Sequence, residues 1–298
     1  MDLRILKVGL YLAAAVCLFV GAAAAETHPD AEPSSLPPDP SASVLETGFR
    51  DLYQLQFGEA RSQFVVYQKM QPGDPLGKAA EAASYLYEEF NAKGVFSSAF
   101  FLNDSKLFGG VNGSASENRN AAFLETDHQA RDMAKQRLGS NPQDARGLLV
   151  LTLADGMESD YDAIIEKKQL AGLGLMRQAE AEAARLLEID PTAQDAYVAL
   201  GASNYIIGCL PAYKRIFLRV GGIHGDRTRG MQQMQIAADH GRYLAPFAKI
   251  LLALAFEREH QMDQARALLT DLTTQFPENP LFAQELALAR QGFSSQNR

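Results

Sequence analysis

A chain of 298 residues with 47% hydrophobic residues carries enough apolar material for one large core or a stack of repeats. Its 28 basic and 36 acidic side chains leave a net charge of −8, and an acidic surface excludes nucleic acid as a general partner. Two cysteines, Cys17 and Cys209, are too few for a cysteine-built metal cage.

The first element is a targeting segment. Arg4 and Lys7 precede an apolar run over residues 8–20, and small residues over 22–25 end at Glu26, the layout of a secretory signal peptide with cleavage after Ala25. The apolar run is too short to span a bilayer, and no lipoprotein signature precedes Cys17. Cleavage removes Arg4, Lys7, Asp2 and Cys17, which leaves 26 basic against 35 acidic side chains, a balance of −9. The mature protein is then expected in the periplasm or secreted, with Cys209 as a lone thiol that has no activating base beside it. Residues 26–45 hold five prolines and read as an extended tether.

From residue 46 to 298 alanine, leucine, glutamate and glutamine recur with helical spacing, so the fold is expected to be all-α. Residues 57–75 and 262–280 align without a gap. Each has an alanine (Ala60, Ala265), a large apolar residue four later (Phe64, Leu269) and a proline twelve after the alanine (Pro72, Pro277). This resembles the second helix of a tetratricopeptide repeat (TPR), a 34-residue helical hairpin. A small residue lets two helices approach, a large one fills the space beside it, and proline stops the helix. Ala130 with Pro142 and Ala179 with Pro191 repeat the pattern, and Gly201 in "YVALGASNY" takes the small position of a first helix. The resemblance implies a TPR-like solenoid with a capping helix over 280–291.

The four prolines are not spaced by multiples of 34, so the hairpins carry inserts. One excess of about 15 residues lies between Leu151 and Ala179, and one of about 17 precedes Gly230, each between the two helices of a hairpin. Such inserts tend to gather on one face, so these two are candidates to stand side by side. Residues 95–120 hold Phe96, Phe100, Phe101 and Phe108 amid glycine and serine, and are either a flap over the groove or a long loop in a degenerate repeat.

Within the second insert, "AYKRIFLRV" (212–220) interleaves Lys214, Arg215 and Arg219 with apolar residues, and "GGIHGDRTRG" (221–230) adds His224, Arg227 and Arg229. These six side chains are the candidate binding residues, whereas Asp226 is placed as a helix N-cap and Gly230 as the small contact residue. The segment 211–250 carries seven basic residues against Asp226 and Asp239. Two readings of helix 212–220 stay open. Either it engages an anionic lipid surface or acidic peptide, or Ile216, Phe217 and Val220 pack on the solenoid while the arginines pair with acidic helices. Residues 199–267 also resemble the tetratricopeptide 39 and inclusion-body-clearance proteins, through Leu210-Pro211, Gly225-Asp226-Arg227 with Gly230, and Ala245-Pro246 before a leucine-rich helix. That family is described by repeats and association with lipid bodies or aggregates, so no catalytic residue carries over.

The function expected is an exported, non-catalytic TPR scaffold without cofactor, binding a protein or peptide in its groove. A lipid-surface or small-ligand binding protein, using helix 212–220 or the aromatic insert, is the alternative. A di-metal enzyme built on Glu125-x-x-His128 and Glu257-x-x-His260 is the remote one. No nucleophile elbow, zincin helix or Walker motif occurs in the sequence.

Overall fold

The computed structural model describes residues 40–113 and 115–296. The signal peptide 1–25, Cys17 and the tether through residue 39 lie outside the described residues. Residues 40–45, counted above with the tether, instead open the first helix, α1 (Pro40–Tyr53). Proline is tolerated in a first helical turn, and Leu45 is buried.

Among the described residues, ten helices form five antiparallel hairpins in chain order. α1 pairs with α2 (Phe57–Met70), and α3 (Leu76–Ala92) pairs with α6 (Glu117–Ser140) across two short helices, α4 (Ser98–Phe101) and α5 (Asp104–Gly109). α7 (Ala145–Asp160) pairs with α8 (Gln169–Ile189), and α9 (Tyr197–Cys209) with α11 (Arg227–His240) across α10 (Ala212–Val220). α12 (Ala245–Arg258) and α13 (Met262–Gln275) make the last hairpin, and α14 (Pro280–Gln296) packs on α13 as the expected cap. No strand occurs among the described residues.

The repeat rule holds at its small position. Ala60, Ala130, Ala179, Gly230 and Ala265 are all buried, and Pro72, Pro142, Pro191 and Pro277 each stand two residues beyond a helix end. The large position holds only in the outer copies, with Phe64, Met234 and Leu269; in the middle two it is taken by Ala134 and Ala183. Those hairpins have longer second helices, and helices bearing alanine at both positions approach closely.

Three hairpins rather than two carry inserts. The aromatic stretch lies between α3 and α6, so it belongs to a repeat and yet folds as a flap. The excess between Leu151 and Ala179 largely lengthens its own hairpin, with a single π-helical turn (Tyr161–Ile165) ending α7. These two inserts stand side by side: Val111 donates to the Ile164 carbonyl at 2.9 Å. Gly110 has a positive φ of 75°, and a Cβ there would lie 2.4 Å from that same oxygen, so this turn requires glycine. The insert bearing α10 reaches the α7–α8 hairpin as well, where Arg177 Nη1 donates to the Gly221 carbonyl at 3.5 Å.

The first hairpin is tied to the last. Asn279 Nδ2 donates to the Tyr53 carbonyl at 2.8 Å, and the Glu278 amide donates to Gln54 Oε1 at 3.0 Å. Tyr53 hydroxyl donates to the Tyr243 carbonyl at 2.9 Å, and Phe49 stacks on Tyr243 with centroids 5.0 Å apart. The flap completes the closure, since Arg258 Nη1 donates to the Phe101 carbonyl at 3.0 Å and the Ser98 amide to Glu285. The inner faces of the first helices therefore line a deep, partly open cavity.

Candidate functional site

Glycines on α9 and at the start of α11 bring these two helices into backbone contact. A Cβ on Gly230 would lie 2.6 Å from the Tyr205 amide nitrogen, and one on Gly201 would lie 2.9 Å from the Gly230 carbonyl. Asp226 caps α11, its Oδ1 accepting from the Arg229 amide at 3.0 Å, as its position in the sequence indicates.

The six candidate binding residues then divide. Arg215 Nη1 and Arg227 Nε both donate to the Gly208 carbonyl, at 3.3 and 3.0 Å. That oxygen is one of the orphan acceptors at the α9 C-terminus, where the helix dipole also favours cations. Arg227 further pairs with Glu259 at 3.1 Å, so Arg215 and Arg227 hold the insert in place. Lys214, Arg219, His224 and Arg229 remain exposed, and His224 Nδ1 lies 3.1 Å from the Gly222 carbonyl.

The apolar residues of α10 face away from the protein. Tyr213, Ile216, Phe217 and Val220 are 70%, 63%, 79% and 87% exposed. At 3.6 residues per turn they form one stripe, while half-buried Leu218 and Arg215 occupy the opposite side. The reading in which Ile216, Phe217 and Val220 pack on the solenoid is thereby overturned, whereas its arginine pairing is met in part: Arg215 binds only a carbonyl, and Arg227, just beyond the helix, pairs with Glu259. The helix is nine residues long, and its inward edge is fully used by Leu218 and Arg215, so no second apolar edge is left to turn inward.

The second feature is this partly open cavity, of about 200 Å³. It is lined from all five first helices and from the flap, whose Phe96, Phe100 and Phe101 tuck beneath it. Tyr87 packs against Phe96 and Phe247 at centroid separations of 5.2 and 5.4 Å, which builds an aromatic wall. Asp160, the last residue of α7 before the π-helical turn, also lines it, and burial alone pushes its carboxyl up to about 7. Sequence reasoning marked the phenylalanines and passed over Asp160 and Tyr87; the excess between Leu151 and Ala179, which contains that aspartate, was the available signal.

A separate carboxylate cluster joins α6, α7 and α8. Arg131 pairs with Asp127 at 3.1 Å, with Asp155 at 2.7 Å and with Glu158 at 2.5 Å. Burial outweighs Arg131 and pushes Asp127 up to about 7. Glu182 is pushed up to about 8 by burial and by Asp155, to which it hydrogen-bonds. Neither Glu-x-x-His pair joins this cluster: Glu125 and His128 lie on the outer side of α6, and His260 sits in the turn between α12 and α13 with a φ of 59°. No group of three or more His, Cys, Asp or Glu side chains among the described residues is arranged to hold a metal ion. Cys209 is buried, and burial pushes its thiol upward.

Hairpin order and buried small residues together decide the architecture. The fold is TPR-like. No protein-family model matches the chain, and no curated protein matches it. Among solved structures it is similar to a thermophilic TPR protein of Thermus thermophilus, at 15% identity and a TM-score of 0.44, over 84% of this chain and 99% of that one. It is the repeat chemistry, not this likeness, that carries the assignment.

Proposed function

We propose that the protein is an exported, non-catalytic TPR-like scaffold that docks through α10 on an anionic lipid surface. The observation that supports this reading is the outward stripe of Tyr213, Ile216, Phe217 and Val220, with Lys214 and Arg219 exposed on its two flanks, unpaired among the described residues, and no acidic residue on the helix. An amphipathic helix of this kind lies in the plane of an interface, its apolar side chains entering the acyl boundary and its cations meeting headgroup phosphates. The rest of the protein outside residues 211–250 is acidic, so attraction to an anionic surface is centred on this segment.

The localisation rests on the signal-peptide pattern of residues 1–25. The scaffold role rests on the repeat architecture, which leaves its outer faces to a protein partner because its first helices are turned onto the cavity. Flotation of the mature chain with vesicles tests the docking. Vesicles containing about one-third anionic lipid are expected to carry the protein at low salt, neutral vesicles to leave it behind, and Lys214, Arg215 and Arg219 changed together to Ala to abolish flotation. Absence of flotation with anionic vesicles at low salt refutes the reading. A protein partner lost in pull-down by the same triple variant would then identify α10 as a protein-docking helix.

A further inference from the structure

The cavity is polar at only two unsatisfied points. Tyr53 hydroxyl is bonded to the Tyr243 carbonyl, Tyr205 hydroxyl to the Ala255 carbonyl, Thr152 Oγ1 to the Leu148 carbonyl and Ser159 Oγ to the Gly172 carbonyl. Asp195 accepts from the amides of Tyr243 and Leu244 at 3.1 and 2.9 Å. Asp160 and the Tyr87 hydroxyl have no hydrogen-bond partner and no counter-charge among the described residues. Asp160 is half-buried and lines the cavity, so its carboxyl is reachable from within it while nothing in the protein pairs with it.

The sign of the missing partner follows from the lining. Among the described residues no Lys, Arg or His lines this cavity, nor the smaller pocket on the other side of Tyr87 and Phe96, whose wall includes the carboxyls of Glu257 and Glu285. Aromatic faces also attract cations. Both kinds of group therefore favour a positive charge beside an apolar body. A volume of about 200 Å³ exceeds the engineered cavity of about 150 Å³ that holds benzene, so a single ring with a short side chain is the appropriate size.

We propose that the cavity binds a small apolar amine, its hydrocarbon body against the wall of Tyr87, Phe96 and Phe247 and its ammonium group donating to Asp160. Tyr87 hydroxyl completes the polar end of the site. The proposal is independent of docking by α10, which lies on the outside of the protein.

Three ligands of nearly equal size separate charge from shape: 2-phenylethylamine, 2-phenylethanol and phenylacetate. Isothermal titration of the unaltered chain is expected to show one site for the amine, binding about tenfold or more weaker for the alcohol, and none for the carboxylate. Asp160→Asn should bring the amine down to the affinity of the alcohol while helical circular dichroism is unchanged. Gly156 also lines the cavity, and a Cβ there meets nothing within 4 Å, so Gly156→Leu should fill the space and remove binding of both. No binding of the amine to the unaltered chain, or phenylacetate binding as tightly as the amine, overturns the proposal. So does amine binding that Asp160→Asn leaves unchanged. The ligand series on the unaltered chain decides the matter even if a variant folds poorly.

Discussion

Gly230 shows how much of the second insert rests on single atoms. A side chain at this position meets the backbone of Tyr205 and Gly201, which has no rotamer to escape into, so Gly230→Val should cost at least about 1–3 kcal/mol in urea unfolding. An unchanged midpoint would show that α9 and α11 can separate freely. Asp226→Ala removes only the cap and should cost about 1 kcal/mol, a smaller and separable loss. Both residues were legible in the sequence, since a capping aspartate and a small residue at a repeat position are local signals. The division among these basic residues was not: Arg215 and Arg227 converge on one carbonyl, and nothing in the spacing of seven basic residues marks which two would share it. Asp160 was illegible for a related reason. An aspartate at a helix end is ordinarily exposed, and only the packing of the repeats around it half-buries it against the cavity.

At the scale of elements, α10 is where sequence and structure differ most usefully. Its basic, apolar character is plain from residues 212–220, but which side it presents depends on the one edge that docks, Leu218 with Arg215. Because Phe217 touches little of the protein, Phe217→Glu should change stability by less than about 0.5 kcal/mol while abolishing flotation with anionic vesicles. Loss of both together would mean that the stripe packs on the protein after all. The flap was marked by its phenylalanines, and its place inside a hairpin was hidden because two short helices interrupt the repeat period. The four prolines, by contrast, marked four helix ends, each lying two residues before the proline, because proline acts on the backbone whatever the tertiary setting.

Closure of the solenoid belongs to the whole molecule. Its hydrogen bonds join residues 190 and 226 positions apart, a separation at which sequence periodicity carries no information. Tyr53→Phe strands the buried Tyr243 carbonyl and should cost about 1–3 kcal/mol, measured by the same urea unfolding. The buried carboxyls give the molecule a pH dependence of definite sign. Asp127, Asp160 and Glu257 are raised to about 7 and Glu182 to about 8 in the folded chain. Folded protein thus holds more protons than unfolded protein between the ordinary carboxyl range and about pH 8, so stability falls as pH rises through that window. Asp144, lowered chiefly by its bonds to Arg137, acts in the opposite sense, but only as pH falls below its ordinary range. The melting temperature should therefore be higher near about pH 5.5 than near about pH 8, and the reverse order would contradict these shifts.

Because the chain has no tryptophan, one substitution reports on docking without background. Phe217→Trp places the only indole on the outward stripe, and Val66→Trp, on exposed α2, serves as the reference. Titration with anionic vesicles is predicted to shift the emission of the Phe217→Trp chain to the blue and to make it quenchable from within the acyl region, with the reference unchanged. Emission from the Phe217→Trp chain that stays red and unquenched on anionic vesicles would contradict the account.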